Sequence, residues 1–131
     1  MTPALSAAIC THRRYALLDD AIASLAAQTI PVEVLVVDNS PGAPGSAEAR
    51  ARHGGRVRWI EEPAAGLSRA RNAALAAASA PVLAYLDDDA RAAPGWARGF
   101  LDGFALLGEG VACVGGRVRL AYSAPPPPWL D

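Results

Sequence analysis

The chain has 131 residues, 52% hydrophobic and 19% charged, with a net charge of −1 at pH 7. That size supports one domain with a proper core, the apolar content excludes disorder, and the charge argues against a general nucleic-acid binder. All twelve basic residues are Arg, which suits bidentate phosphate contacts, although a GC-rich coding sequence accounts for most of that preference.

The short apolar run at residues 4–10 reads as a first strand. Residues 14–28 follow with Leu17, Leu18, Ala21, Ile22 and Leu25 at helical spacing and Asp19 and Asp20 on the other face. Residues 32–37 form the clearest strand, β-branched and closed by Asp38. Asn39-Ser40-Pro41-Gly42 is turn chemistry. Residues 45–54, with His53 in a polar stretch, suggest a weak exposed helix or loop, and the alternation at residues 56–60 a third strand near an edge. An Ala-rich helix then runs to about Ser79 with Ser68 as its expected N-cap. Pro81 opens a fourth strand. Pro94 suits the first turn of a last helix over residues 95–107. Residues 111–114 and 116–122 are expected to form a final strand or pair of strands, bent at Gly115-Gly116. The expected domain is 1–123, followed by a Pro-rich tail, 124–131, that is polyproline-like and neither helix nor central strand.

Strands alternating with helices imply an α/β fold with a mostly parallel sheet flanked by helices. Its polar residues then gather. The first strand ends in Thr11-His12-Arg13, the second in Asp38-Asn39, the fourth in Asp87-Asp88-Asp89. Open α/β sheets bind ligands beyond the carboxyl ends of their strands, where the strand order reverses. With order 3-2-1-4, that crevice lies between Thr11 and Asp87.

The acidic triplet carries the most chemistry. Adjacent carboxylates repel, and a divalent cation such as Mg²⁺ or Mn²⁺ relieves them. The bland alternative is a solvated acidic turn before a helix. Asp38 is equally well explained by an Asx-turn and by contact with a base or ribose. Arg71 and Asn72 are expected in the first turn of the Ala-rich helix, where free N–H groups and the helix dipole suit phosphate; Arg69 reads as solvated. His12 could meet a metal or a diphosphate, Glu61-Glu62 reads as a solvated pair, and Trp59 and Trp96 read as packing. Cys10 and Cys113 fit no zinc spacing and are expected as small core residues in a reducing compartment. The sequence has no GxGxxG after the first strand, no GxxxxGK[ST] and no Gly-x-Ser-x-Gly. No basic signal region opens the chain and no run of about eighteen apolar residues interrupts it, so a cytoplasmic protein is expected, one that could sit at a membrane through a partner.

Several segments together resemble family 2 glycosyltransferases of the GT-A fold, specifically their N-terminal, nucleotide-sugar-binding half. They are Cys10-Thr11-His12-Arg13 with Leu25-Ala26-Ala27-Gln28-Thr29; Val34-Leu35-Val36-Val37-Asp38-Asn39-Ser40; Gly66-Leu67-Ser68-Arg69-Ala70-Arg71-Asn72; and Ala84-Tyr85-Leu86-Asp87-Asp88-Asp89 with Pro94-Gly95-Trp96. The resemblance implies a Rossmann-like GT-A domain, truncated, that binds a UDP- or dTDP-sugar for inverting transfer to an unknown acceptor hydroxyl. It implies a nucleotide-sugar site of Thr11, His12, Arg13, Asp38, Asn39, Arg71, Asn72, Asp87 and Asp88, with Mn²⁺ or Mg²⁺ on Asp89 and Asp87. The later carboxylates Asp102, Glu109 and Asp131 suggest no catalytic base; in similar proteins the base comes from a second half. A homo-oligomer or a completing subunit is therefore a plausible partner. Two other readings compete: a non-catalytic nucleotide- or protein-binding module, and a haloacid-dehalogenase-type phosphatase, whose Asp-x-Asp follows the first strand instead of the fourth.

Overall fold

The computed structural model describes residues 2–130. Its elements alternate as expected: β1 (Leu5–Thr11), α1 (Leu18–Ala26), β2 (Glu33–Asp38), α2 (Ser46–His53), β3 (Arg58–Glu61), α3 (Leu67–Ala77), β4 (Val82–Tyr85) and α4 (Trp96–Leu107). A single 3₁₀ turn, Tyr15–Leu17, precedes α1. The four strands form one parallel sheet in the order β3-β2-β1-β4. The order reverses between β1 and β4, so the crevice expected there exists.

Each face of the sheet has its own apolar layer, because side chains alternate along a strand. Leu5, Ala7, Ile9 and Val36 pack with Leu18, Ala21, Ile22 and Leu25 of α1. Ala8, Leu35 and Val37 pack on the other face with Ala70 and Ala74 of α3. The small Ala side chains let α3 lie close to the sheet. In α1 the buried residues recur at helical spacing, which is why the segment folds as a helix against this layer. Fully burying one such Leu contributes about 2 kcal/mol.

Several local expectations need correcting. Residues 111–122 form no strand; Val114 instead lies against Gly103 of α4 and Gly116 beside the Phe100 ring. A strand needs a ladder partner, and this segment touches α4 at Val114 and Gly116 while Val118, Leu120 and Tyr122 are exposed. Cys113 is accordingly exposed, not a core residue. Ser68 is not the cap of α3: the helix begins at Leu67 after Gly66, whose N–H is taken by the Asn39 side chain at 2.9 Å. Pro94 precedes the cap residue Gly95 of α4 and is not in its first turn. His53 is not in a polar loop: it is buried at the end of α2, its Nε2 2.8 Å from Asp19 Oδ1, so that Asp19 joins α1 to α2. Trp96 is packing, edge-on to Phe100 with centroids 4.9 Å apart. Glu61 is paired with Arg50 at 2.8 Å and is not merely solvated.

Three hydrogen bonds from Ser24 and Gln28 tie the end of the acidic loop to α1. Gln28 at the end of α1 donates to Ala93 O at 2.8 Å and accepts from Ala97 N at 2.8 Å, capping the start of α4. Ser24 Oγ accepts from Ala92 N at 2.9 Å. The segment between β4 and α4 is thus pinned at its far end by α1.

Candidate functional site

The carboxyl ends of β1, β2 and β3 are in register, with Thr11 opposite Asp38 and Asp38 opposite Glu61. Past these ends the chain encloses a cleft of about 330 Å³ lined by Cys10, Thr11, His12, Arg14, Asn39, Gly66, Leu67 and Asp88 among others. Of the expected site residues, Thr11, His12, Asn39 and Asp88 line it.

Thr11 and Asp88 form the floor. Thr11 Oγ1 donates to Asp88 Oδ2 at 2.9 Å, and Asp88 is only 2% exposed. A buried carboxylate demands compensation, and Arg14 supplies it. Its Nε lies 3.2 Å from Asp88 Oδ2 and its Nη2 bonds Asp88 Oδ1, while Nη1 reaches Asp89 Oδ2 at 3.4 Å. The hydrogen bond and charge of Asp88 push the Arg14 guanidinium further above its usual range. Arg14 was missed by sequence reasoning, although it directly follows the Thr11-His12-Arg13 run. The signal for it was there: a buried acid needs a cation, and the acidic triplet faces the residues that follow β1.

Asn39 builds the opposite wall. Its Nδ2 donates to the carbonyls of Glu62 and Ala64, both at 2.9 Å, and its Oδ1 accepts from Gly66 N. One buried side chain thereby shapes the turn that leads from β3 into α3. His12 Nδ1 lies 3.1 Å from Asn39 O. A carbonyl only accepts, so Nδ1 is the donor in this contact. Beside it, Arg13 holds a left-handed backbone at φ 60, with its N–H donating to Ser40 Oγ at 2.9 Å.

Asp38 lies elsewhere. It is fully buried, shares the sheet face of Val36, and does not line the cleft. Tyr15 Oη donates to Asp38 Oδ1 at 2.8 Å, Ser46 Oγ to Oδ2 at 2.6 Å, and Ser40 N to Oδ1 at 3.0 Å. The last of these is the Asx-turn. Both carboxylate oxygens accept from internal donors. Burial pushes the Tyr15 hydroxyl up, as does its bond to Asp38, keeping it a donor. Tyr15 and Ser46 are further residues that local sequence signals did not single out. Gly45, at φ 91, leaves room for this network: a Cβ there would stand 3.1 Å from the Tyr15 ring.

The remaining expected residues stand outside the cleft lining. Arg71 and Asn72 are in the second turn of α3, not the first, because the helix starts at Leu67. The Arg71 guanidinium sits 5.6 Å from the centroid of the Tyr85 ring, and Tyr85 Oη donates to Arg71 O at 2.8 Å. Asn72 is exposed. Asp87 and Asp89 are exposed on either side of Asp88, with Ala90 N closing a turn onto Asp87 O at 3.0 Å. Cys10 reaches the cleft from the α3 face; burial pushes its thiol up to about 11, with Arg71 opposing and Asp87 and Asp88 adding to the shift.

Among the described residues no three His, Cys, Asp or Glu side chains cluster as a ready-made metal cage. Mg²⁺ and similar ions do not require one, since they are held by one or two carboxylates together with ligand phosphates and water. Asp89, in contact with the cleft residue Arg14, and the exposed Asp87 are carboxylates of the type that arrangement uses. Among the described residues, no helix is long and apolar enough to cross a membrane.

Comparison with known proteins agrees with this architecture. Succinoglycan biosynthesis protein ExoM of Rhizobium meliloti (strain 1021) is 32% identical over 129 residues, a match covering 93% of this chain and 41% of that protein. The chain thus spans about two-fifths of the length of that relative. Among solved structures, glucosyl-3-phosphoglycerate synthase from Mycobacterium tuberculosis, in complex with Mn²⁺, UDP and glucosyl-3-phosphoglycerate, superposes with a TM-score of 0.64 at 22% identity, over 83% of this chain and 42% of its own. Mannosyltransferase PcManGT from Pyrobaculum calidifontis, in complex with GDP-Man and Mn²⁺, gives 0.63 at 24% identity, over 72% and 30%. These likenesses show a shared GT-A fold. The profile of glycosyl transferase family 2 matches residues 6–124, from β1 past the end of α4. On a match of that extent, joined to a 3-2-1-4 sheet with its cleft at the reversal, the chain belongs to glycosyl transferase family 2.

Proposed function

We propose that the cleft binds the nucleoside diphosphate part of a sugar donor, for inverting transfer to an acceptor hydroxyl. The observation that carries this reading is the convergence of Thr11, Arg14, Asn39 and Asp88 on one cleft at the β1–β4 reversal, beside the N-terminus of α3. The N-terminal turn of α3, from Leu67 on, and the Arg14 guanidinium offer N–H and cationic character to phosphate. Family membership and fold neighbours carrying Mn²⁺ with GDP-Man or UDP support the same ligand class. Asp89, with Asp87, would hold the Mn²⁺ or Mg²⁺. A bound divalent ion supplies Lewis-acid neutralisation of the charge that grows on the departing diphosphate. The chain's own residues bind and orient: Asn39 sets the wall, and Thr11 and Arg14 hold Asp88.

The cleft lining contains one carboxylate, Asp88, and both of its oxygens are engaged by Thr11 and Arg14. A general base for the acceptor is therefore proposed to lie outside this cleft, and binding without transfer is the second reading. Calorimetry with UDP, dTDP and GDP, each with and without Mn²⁺, tests the proposal. Metal-dependent binding that disappears in Asp89→Ala is expected. Equal affinity with and without metal would remove the metal from the proposal, and no binding of any nucleotide would remove the ligand class.

A further inference from the structure

Arg14 makes two contacts of unequal strength. Toward Asp88 it is bidentate, through Nε and Nη2, onto a carboxylate that is 2% exposed and also held by Thr11. Toward Asp89 it has one long contact, Nη1 to Oδ2 at 3.4 Å, and both side chains there are more than half exposed, at 53% and 55%. Exposed ion pairs of this kind are weak, worth at most about 1 kcal/mol. The guanidinium is thus anchored on one edge and loosely engaged on the other, and it lines the cleft.

We infer that Arg14 is a resident cation that occupies Asp89 in the ligand-free protein and, on loading, yields Asp89 to the divalent metal while turning its released Nη1 edge to the diphosphate. This rests on the proposed donor-binding role of the cleft. The reason is electrostatic. A guanidinium beside Asp89 repels a divalent cation, so metal alone binds poorly. A diphosphate brings negative charge that accepts the freed N–H donors, so metal and nucleotide bind better together than apart. The Asp88 anchor matters because it keeps the charge at the cleft in both states, with no rearrangement beyond one donor edge. Arg14 is in this sense a positioning and specificity residue: it makes metal occupancy conditional on the anionic ligand.

The test measures Mn²⁺ binding from the signal of the free ion in electron paramagnetic resonance, on the full chain, with and without UDP and GDP. In Arg14→Gln, Mn²⁺ alone is expected to bind about tenfold tighter, as removal of a unit charge a few ångströms from a divalent ion predicts. That gain should vanish in the double variant with Asp89→Ala. The enhancement of Mn²⁺ binding by nucleotide should shrink in Arg14→Gln. Arg14→Lys keeps the charge but has no second donor edge, so it should keep weak metal binding in the absence of nucleotide and lose part of the enhancement. This variant carries the test should Arg14→Gln fail to fold. Unchanged Mn²⁺ affinity in Arg14→Gln, or full nucleotide enhancement in Arg14→Lys, would overturn the inference. If nucleotides do not bind the unaltered chain at all, the donor-binding reading fails, whereas the nucleotide-free Mn²⁺ titrations still report on the competition at Asp89.

Discussion

Thr11 Oγ1 donates a 2.9 Å hydrogen bond to Asp88 Oδ2, joining side chains 77 positions apart at the point where β1 and β4 part. The bond closes the cleft floor and shares with Arg14 the task of satisfying a buried acid. Removing the hydroxyl leaves the Asp88 oxygen short of a partner, which costs about 1–3 kcal/mol. Thr11→Val should therefore lower stability by that amount in urea unfolding. Asp88→Ala leaves the buried Thr11 hydroxyl without its acceptor, but it removes a buried charge and frees Arg14, which is half exposed and can turn to water. Its loss should be no larger, and a much larger one would mean that Asp88 supports more than these two partners.

The Asp38 network should behave as structure. Tyr15, Ser40 and Ser46 all donate to this one fully buried carboxylate. Tyr15→Phe removes a single donor and should cost about 1 kcal/mol. Asp38→Ala leaves several buried donors unpaired at once and should cost about 3 kcal/mol or more. Chemical denaturation of both variants checks the order; a neutral Asp38→Ala would contradict the buried network.

Glu33 makes part of the stability pH-dependent. Burial raises its carboxyl, but the bonds from Ser6, the Ser79 N–H and Arg58 outweigh it, and the net shift is downward from 4.5. A folded pKa below the unfolded one means the bound proton is disfavoured in the fold. Its contribution is present above about pH 4.5 and fades as pH falls through the lower folded value. Glu33→Gln should therefore lower the melting temperature at pH 7 more than at pH 3. An equal drop at both would show that charge is not what Glu33 contributes.

The two thiols should separate cleanly. Cys10, pushed up by burial to about 11, holds about one thiolate in a thousand at pH 8. Cys113 is exposed. Iodoacetamide at pH 8 should label Cys113 first, and Cys10 should speed up about tenfold per pH unit toward its titration. Peptide mass spectrometry over time reads both rates. Labelling of Cys10 as fast as Cys113 at pH 8 would show the cleft to be more open than the structure has it.

Gln28 offers a stability test remote from the cleft. It bonds Ala93 O and Ala97 N, tying α1 to the start of α4. Gln28→Ala should cost about 1–2 kcal/mol. Hydrogen exchange should rise first at Ala97, where the N–H loses its acceptor, and exchange confined to α1 would contradict the link.

Local patterns in the chain were sufficient for the alternation of strands and helices and for a parallel sheet, whereas the 3-2-1-4 order was assumed together with the GT-A resemblance and the structure has it. Apolar periodicity depends on neighbours a few residues away, so it survives without tertiary information. The same patterns misplaced residues 111–122, which look like a strand but touch α4 through Val114 and leave Val118 exposed. A strand exists only if a partner edge is available, and no local signal reports that. The roles of the acidic and turn residues were also beyond local reading. Asp38 ends a strand just as Asp87 follows one, yet the side-chain alternation of β2 aims it at Tyr15 and Ser46 in the core. Asp88 was one of three equal acids until the fold buried it against Thr11 and obliged Arg14 to turn toward it. Which carboxylate is buried, and which cation answers it, is decided by long-range packing and desolvation, and these exist only once the chain has folded.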